Sequence, residues 1–143
     1  MEKYSYKYPR PAVTADMVVI ARDERKVLLI ERGNEPFKGC WAFPGGFMDM
    51  DETTEQCAIR ELEEETGLQV DKVSAVGVYD KVDRDPRGRT ISVAYLAVID
   101  HTVPAVGKDD AAKAEWWPLE ALPPLAFDHD EIMKKVQETF LGE

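Results

Sequence analysis

The stretch at 53–67, TTEQCAIRELEEETG, carries its own boundaries and leaves little choice of structure. Thr53 with Gln56 three positions on is a capping-box pattern that opens a helix. Gly67 closes it, because glycine takes the left-handed turn that other residues resist. Ala58, Ile59, Leu62 and Thr66 give that helix one side to bury. Yet Glu61, Glu63, Glu64 and Glu65 crowd its last turn, where the backbone already carries partial negative charge. Each acid there is unfavourable by about 0.3–1 kcal/mol, and no lysine four residues away offsets it. A chain that keeps this helix needs a source of positive charge for it.

Positions i, i+3 and i+4 share a helix face, so Glu61, Glu64 and Glu65 form a stripe beside the glycine-rich loop 33–47. Three carboxylates so placed suit a hard divalent cation, and magnesium takes few protein ligands beside water and phosphate oxygens. The competing reading is a solvated acidic face. The distribution of charge weakens it: of the net −10, residues 46–68 hold eight acids and one base, while the other 120 residues carry twenty acids and seventeen bases. The acidity is local. The net charge of −10 argues against a nucleic-acid duplex as partner, since a phosphate backbone needs a basic face. Residues 83–88, DRDPRG, imitate the start of a calcium-hand loop, but Ala94 stands where its bidentate glutamate belongs.

The 143 residues are expected to form one domain spanning 1–143. No apolar run approaches a membrane span, and the N-terminus lacks the apolar core of a secretory signal. Cys40 and Cys57 are too few for a disulfide framework, so free thiols in a reducing cytoplasm are expected. Strands are read at 13–20 and 26–31 as a hairpin, around 41–43, at 73–79, 90–99 and 114–119. Asp128, with Glu131 three residues on, caps a second helix with Ile132, Val136 and Phe140 on one side. The order of elements predicts an α/β sandwich with a central mixed β-sheet. His101 and His129 are too isolated for a zinc site.

The acidic stretch resembles the signature of the Nudix hydrolases, G-x5-E-x7-R-E-U-x-E-E-x-G-U with U a bulky aliphatic. Here Gly46, Glu52, Arg60, Glu61, Leu62, Glu64, Glu65, Gly67 and Leu68 match every specified position across 23 residues. The resemblance implies that family's α/β/α sandwich and a magnesium cofactor, with Mn2+ as a substitute. It makes Glu64 and Glu65 the principal ligands, Glu61 a further ligand or a base, and the Gly45 carbonyl a completing ligand. Glu52 and Arg60 become the pair that locks the helix to its preceding loop, and Glu63 sits at the variable position. The implied reaction is hydrolysis of a diphosphate bond in a nucleoside diphosphate linked to another group.

Three further stretches, NEPFKGCWAFPGGF, DRDPRGRTISVAYL and DDAAKAEWWPLEALPPLAFDHDEI, resemble the ADP-ribose pyrophosphatase branch, whose products are AMP and ribose 5-phosphate. That branch often carries a proline where this chain has Asp83, the nearest being Pro86. Arg84, Arg87 and Arg89 are candidates for gripping diphosphate, or are solvated charges at a hairpin tip. Asp110 in the loop 103–113 is a candidate general base or extra ligand. Phe37 and Trp41 are candidates to stack on a base, with a core role as the alternative. Tyr4, Tyr6 and Tyr8 alternate along an extended arm that fits either a homodimer contact or a disordered tail. Two other functions remain open: a house-cleaning hydrolase of a modified nucleoside triphosphate, and a non-catalytic nucleotide-sugar sensor. Sensors of this kind append a winged helix, for which the two dozen or so residues after Leu119 leave no room.

Overall fold

The computed structural model describes residues 3–142. Its elements run β1 (Ala12–Ala21), β2 (Lys26–Arg32), β3 (Trp41–Ala42), β4 (Gly45–Phe47), α1 (Thr54–Thr66), β5 (Ser74–Tyr79), β6 (Thr90–Ile99), β7 (Ala111–Pro118) and α2 (His129–Thr139). β1 and β6 pair in parallel along their whole length, and the other pairings are antiparallel. Parallel strands are buried on both faces, which is why residues 17–21 of β1 read as a continuous apolar run rather than an alternation.

Alternate residues of β1 feed two cores. Val18 and Ile20 meet Ile132, Met133 and Val136 of α2. Ala15, Met17 and Val19 face Cys57, Ala58 and Leu62 of α1. The mixed sheet therefore lies between two helices, as the sandwich reading expects. Each fully buried aliphatic here contributes roughly 1.5–3 kcal/mol. α1 is closed at both ends by its own sequence: Thr53 accepts from the Gln56 N–H at 3.1 Å, and Gln56 accepts from the Thr53 N–H at 2.9 Å. Gly67, at φ +79°, donates its N–H to the Glu63 carbonyl at 2.8 Å.

Four local expectations are corrected. The hairpin of β1 and β2 is paired only at Ile20–Val27 and Ala21–Lys26. The first half of β1 is joined instead by β4, which the reading of 33–47 as mostly loop had missed; its Gly-Gly-Phe offers little β-propensity of its own. β7 begins at Ala111 rather than 114, drawn out by seven paired positions on β2. Asp128 stands at the N-cap of α2 but makes no side-chain cap, because its carboxylate is committed to Arg84.

Candidate active site

The change of partner along β1 opens a cavity of about 340 Å³. Thr14 and Asp16 of β1, Ile30 and Arg32 of β2, and Gly45 and Gly46 of β4 line one part of it. Glu61 and Glu65 enter from α1. Glu65 is 6% exposed and accepts a hydrogen bond from the Gly45 N–H at 2.8 Å. Burial pushes its pKa up to about 8, against the pull of the Gly45 N–H, and the charges of Glu61, Asp16 and Asp110 push the same way as burial. Burial likewise raises Glu61, opposed by Arg60 and reinforced by Glu64 and Asp110. An acceptor-rich pocket with surplus negative charge has formed at the cavity end of α1.

Arg60 holds this set in place. Its Nε and Nη2 reach both Glu52 oxygens at 2.9 and 2.6 Å, and its Nη1 donates to Glu61 at 2.9 Å and Glu64 at 3.1 Å. The Arg60 hydrogen bond depresses Glu52 to about 2, the Asp49 N–H adding to it. Gly46 has a steric reason to be glycine: a Cβ there would sit 2.6 Å from the Glu61 carboxyl carbon. The strained helix end is met by backbone donors, Val106 N–H to the Thr66 carbonyl at 3.2 Å and Lys108 N–H to the Glu65 carbonyl at 2.9 Å. The loop that supplies them carries Asp110 to the cavity, where Asn34 Nδ2 donates to its Oδ1 at 3.1 Å.

The opposite wall is cationic and aromatic. Arg84 is buried and doubly bonded to Asp128, at 2.9 and 2.7 Å. Arg87 is clasped by the buried Asp85, with Nη2 to Oδ2 at 2.7 Å, and lies over the rings of Phe47 and Phe127 at 4.7 and 5.4 Å. Beneath them Asp16 accepts from the Ser92 hydroxyl and faces His129 Nε2 at 3.6 Å. His129 Nδ1 accepts the Phe43 N–H at 3.1 Å, so α2 and α1 each hold one N–H of the segment Phe43-Pro44-Gly45.

Of the residues singled out in the sequence, Gly45, Glu61, Glu65, Asp110, Arg84 and Arg87 line the cavity. Glu64 does not; its side chain is 44% exposed and it pairs with Arg60. Glu52 and Arg60 stand behind the lining and meet each other. Gly45 enters through its N–H to Glu65. Arg89 turns away, donating to the carbonyls of Asp80 and Lys81, and so contributes nothing to the lining. Trp41 packs edge-on against Trp117, and Phe37 against Phe127, both outside the lining. Arg84 is no exposed hairpin tip, since its side chain is 3% exposed.

Sequence reasoning missed Arg32, Asp16 and Phe127, while His129, set aside there as a zinc ligand, stacks on Phe43 and accepts its N–H. Asp16 had a signal, a lone charge inside the apolar run VTADMVVI. Arg32 had one too, since it continues the alternation of Leu28 and Ile30 into the loop. Phe127 had none: it reaches the cavity through a backbone at φ +54°, which nothing in the local sequence announces. The donor set fits a hard divalent cation, being all oxygen with buried Glu65 lacking a cationic partner at hydrogen-bond distance. Among the described residues no three such side chains converge on one point, because Arg60 lies between Glu61 and Glu64.

Comparison with known proteins agrees with this architecture. A model of the NUDIX domain matches residues 10–138. The chain is 47% identical over 135 residues to the ADP-ribose pyrophosphatase of Methanocaldococcus jannaschii, covering 94% of this chain and 77% of that protein. It is 37% identical to the ADPR responsive transcriptional repressor NtrR of Acinetobacter baylyi, over 90% of this chain and 54% of the repressor, and so spans about half of that protein. The NUDIX domain of Shewanella oneidensis NrtR, complexed with ADP ribose, superposes with a TM-score of 0.86 at 32% identity, covering 96% of this chain and 94% of that one. With the 23-residue signature, the two-core sandwich and the match over residues 10–138, the chain belongs to the Nudix family.

Proposed function

We propose that this chain is a magnesium-dependent pyrophosphohydrolase that splits ADP-ribose into AMP and ribose 5-phosphate. The chemistry is supported by a cavity with carboxylates at one end and guanidinium groups at the other. The likeness to the Methanocaldococcus enzyme along nearly the whole chain carries the choice of ADP-ribose. Glu61, Glu64 and Glu65 would hold the cations, which when bound neutralise phosphate oxygens and make water more acidic. Arg60 and Glu52 fix the reach of those glutamates, so that little reorganisation is left for the reaction. Asp110 is held through Oδ1 by Asn34, and its Oδ2 takes no hydrogen bond among the described residues. In this reading that oxygen, on the cavity lining, takes a proton from the attacking water. The water oxygen bonds to phosphorus as the bridging P–O bond breaks, and the leaving phosphate takes the electron pair.

A panel of ADP-ribose, NADH, diadenosine polyphosphates and oxidised dGTP tests the substrate. ADP-ribose is expected to give the highest kcat/KM, and an untouched ADP-ribose beside a rapidly cleaved triphosphate would overturn it. The likeness to the Acinetobacter repressor favours a second reading, a sensor that binds ADP-ribose without turnover. In that case ADP-ribose would bind and stay intact in magnesium.

Gly46→Ala provides a check on the site itself. The added methyl drives the Glu61 carboxylate from its place, and an ångström of displacement costs on the order of a hundredfold in rate. Overpacking costs stability about 1–3 kcal/mol. Steady-state kinetics and thermal melting are expected to show a large fall in kcat on a still-folded protein. An unchanged kcat would remove Glu61 from the mechanism.

A further inference from the structure

Three arginines line the cavity, and they are not equivalent. Arg84 is matched by Asp128 at 2.7 Å and Arg87 by Asp85 at 2.7 Å, so each brings a carboxylate that cancels its charge. Arg32 has no ion pair among the described residues. Its Nε donates to the Pro36 carbonyl at 2.7 Å, which fixes the plane of the fork, and neither Nη group donates a hydrogen bond among the described residues. The Phe127 ring lies 5.0 Å from its guanidinium carbon and backs it from one side. Such a contact with an aromatic face keeps a cation in place without supplying an anion.

The site bears a cost for holding Arg32 this way. Burial weighs against its charged form, Arg87 adds repulsion, and the carboxylates of Glu65, Asp85 and Asp110 only partly offset them. A half-buried guanidinium without an anionic partner, facing a cavity, is a receptor for an anion from outside the protein. Its place on β2 is firm, since Leu28 and Ile30 on the same side of the strand are buried.

We propose that Arg32 is the residue that grips the substrate's phosphate directly, while Arg84 and Arg87 shape the wall. This rests on the pyrophosphohydrolase reading and adds to it a specificity-determining residue for the diphosphate group. Arg32 and the carboxylates of α1 then flank one ligand, with opposite demands on its oxygens. A ligand that lacked the phosphate would leave Arg32 unsatisfied.

The test is calorimetric binding of inorganic pyrophosphate, with magnesium present, to the full chain and to Arg32→Gln, Arg32→Lys and Arg87→Gln. Two charge-assisted hydrogen bonds lost in a partly desolvated site predict a fall of about tenfold to a hundredfold for Arg32→Gln. Arg32→Lys is expected to recover part of the loss, and Arg87→Gln to lose less than about threefold. Arg32→Gln should leave adenosine binding as it is. Pyrophosphate bound equally by Arg32→Gln and the unaltered chain would overturn the proposal, as would no binding at about 1 mM. A greater loss in Arg87→Gln would overturn it too. Should the unaltered chain bind pyrophosphate through Arg32 yet leave ADP-ribose intact, the substrate reading fails and the proposal stands.

Discussion

Glu65→Gln is expected to abolish magnesium-dependent hydrolysis while leaving the protein folded and, without metal, at least as stable. Glutamine keeps an oxygen for the Gly45 N–H and removes a charge that burial already disfavours. Loss of a ligand that stabilises several kcal/mol of developing charge predicts a fall in kcat of about a thousandfold or more. Glu64→Gln is expected to lose activity in the same way. Its exposure keeps the stability change within about 0.5 kcal/mol. Unchanged turnover in either variant would refute its assignment as a ligand.

The same residue gives a dependence on pH whose sign is fixed. The Glu65 carboxyl rises from 4.5 to about 8 on folding. Between those values the folded chain holds a proton that the unfolded chain has released. Stability of the metal-free protein is therefore full below about 4.5 and declines as pH rises through about 8. Urea unfolding in chelator across that window should show the decline in the unaltered chain and a flatter profile in Glu65→Gln. Magnesium should restore stability at the alkaline end, because only the ionised carboxylate is a ligand.

Arg84→Ala is expected to cost about 3–5 kcal/mol, since it leaves Asp128 buried without its counter-ion. For a domain of this size that corresponds to a melting temperature lower by roughly 6–20 °C. Asp128→Ala should cost a similar amount. Replacing both partners by apolar residues of similar volume should recover most of it. A variant that melts normally but shows a raised KM would mean that Arg84 is a solvent-facing phosphate ligand, the role its place in DRDPRGR suggests. The pair joins the β5–β6 connection to the N-cap of α2, so its loss should also loosen the Phe127 wall.

Local chemistry was enough for much of this. The capping box and Gly67 bounded α1 to the residue, because both signals act within one helical turn. The contrast between polar connections and β-branched runs located β1, β2 and β6. β4 was illegible, since a Gly-Gly-Phe segment becomes a strand only when β1 offers it hydrogen bonds. The true start of β7 was hidden for the same reason: Arg32 of β2, 79 residues earlier, pulls Ala111 into register.

The sequence by itself determined the acidic helix, its spacing and the strut partners. Carboxylates three and four residues apart must share a face, and the only base among eight acids had to serve them. What it could not determine is which charges are already spent. Arg84, Arg87, Arg89 and Arg32 look alike as letters. Tertiary structure set Asp128 on the first, Asp85 on the second and loop carbonyls on the third. It left Arg32 without an anionic partner among the described residues. Glu64 and Glu65 are likewise adjacent in the signature, yet one is largely in water and the other is buried against the Gly45 N–H. For Arg84 and Glu65 the deciding groups lie 44 and 20 residues away, and even Asp85, two residues from Arg87, meets it only because the loop folds that way.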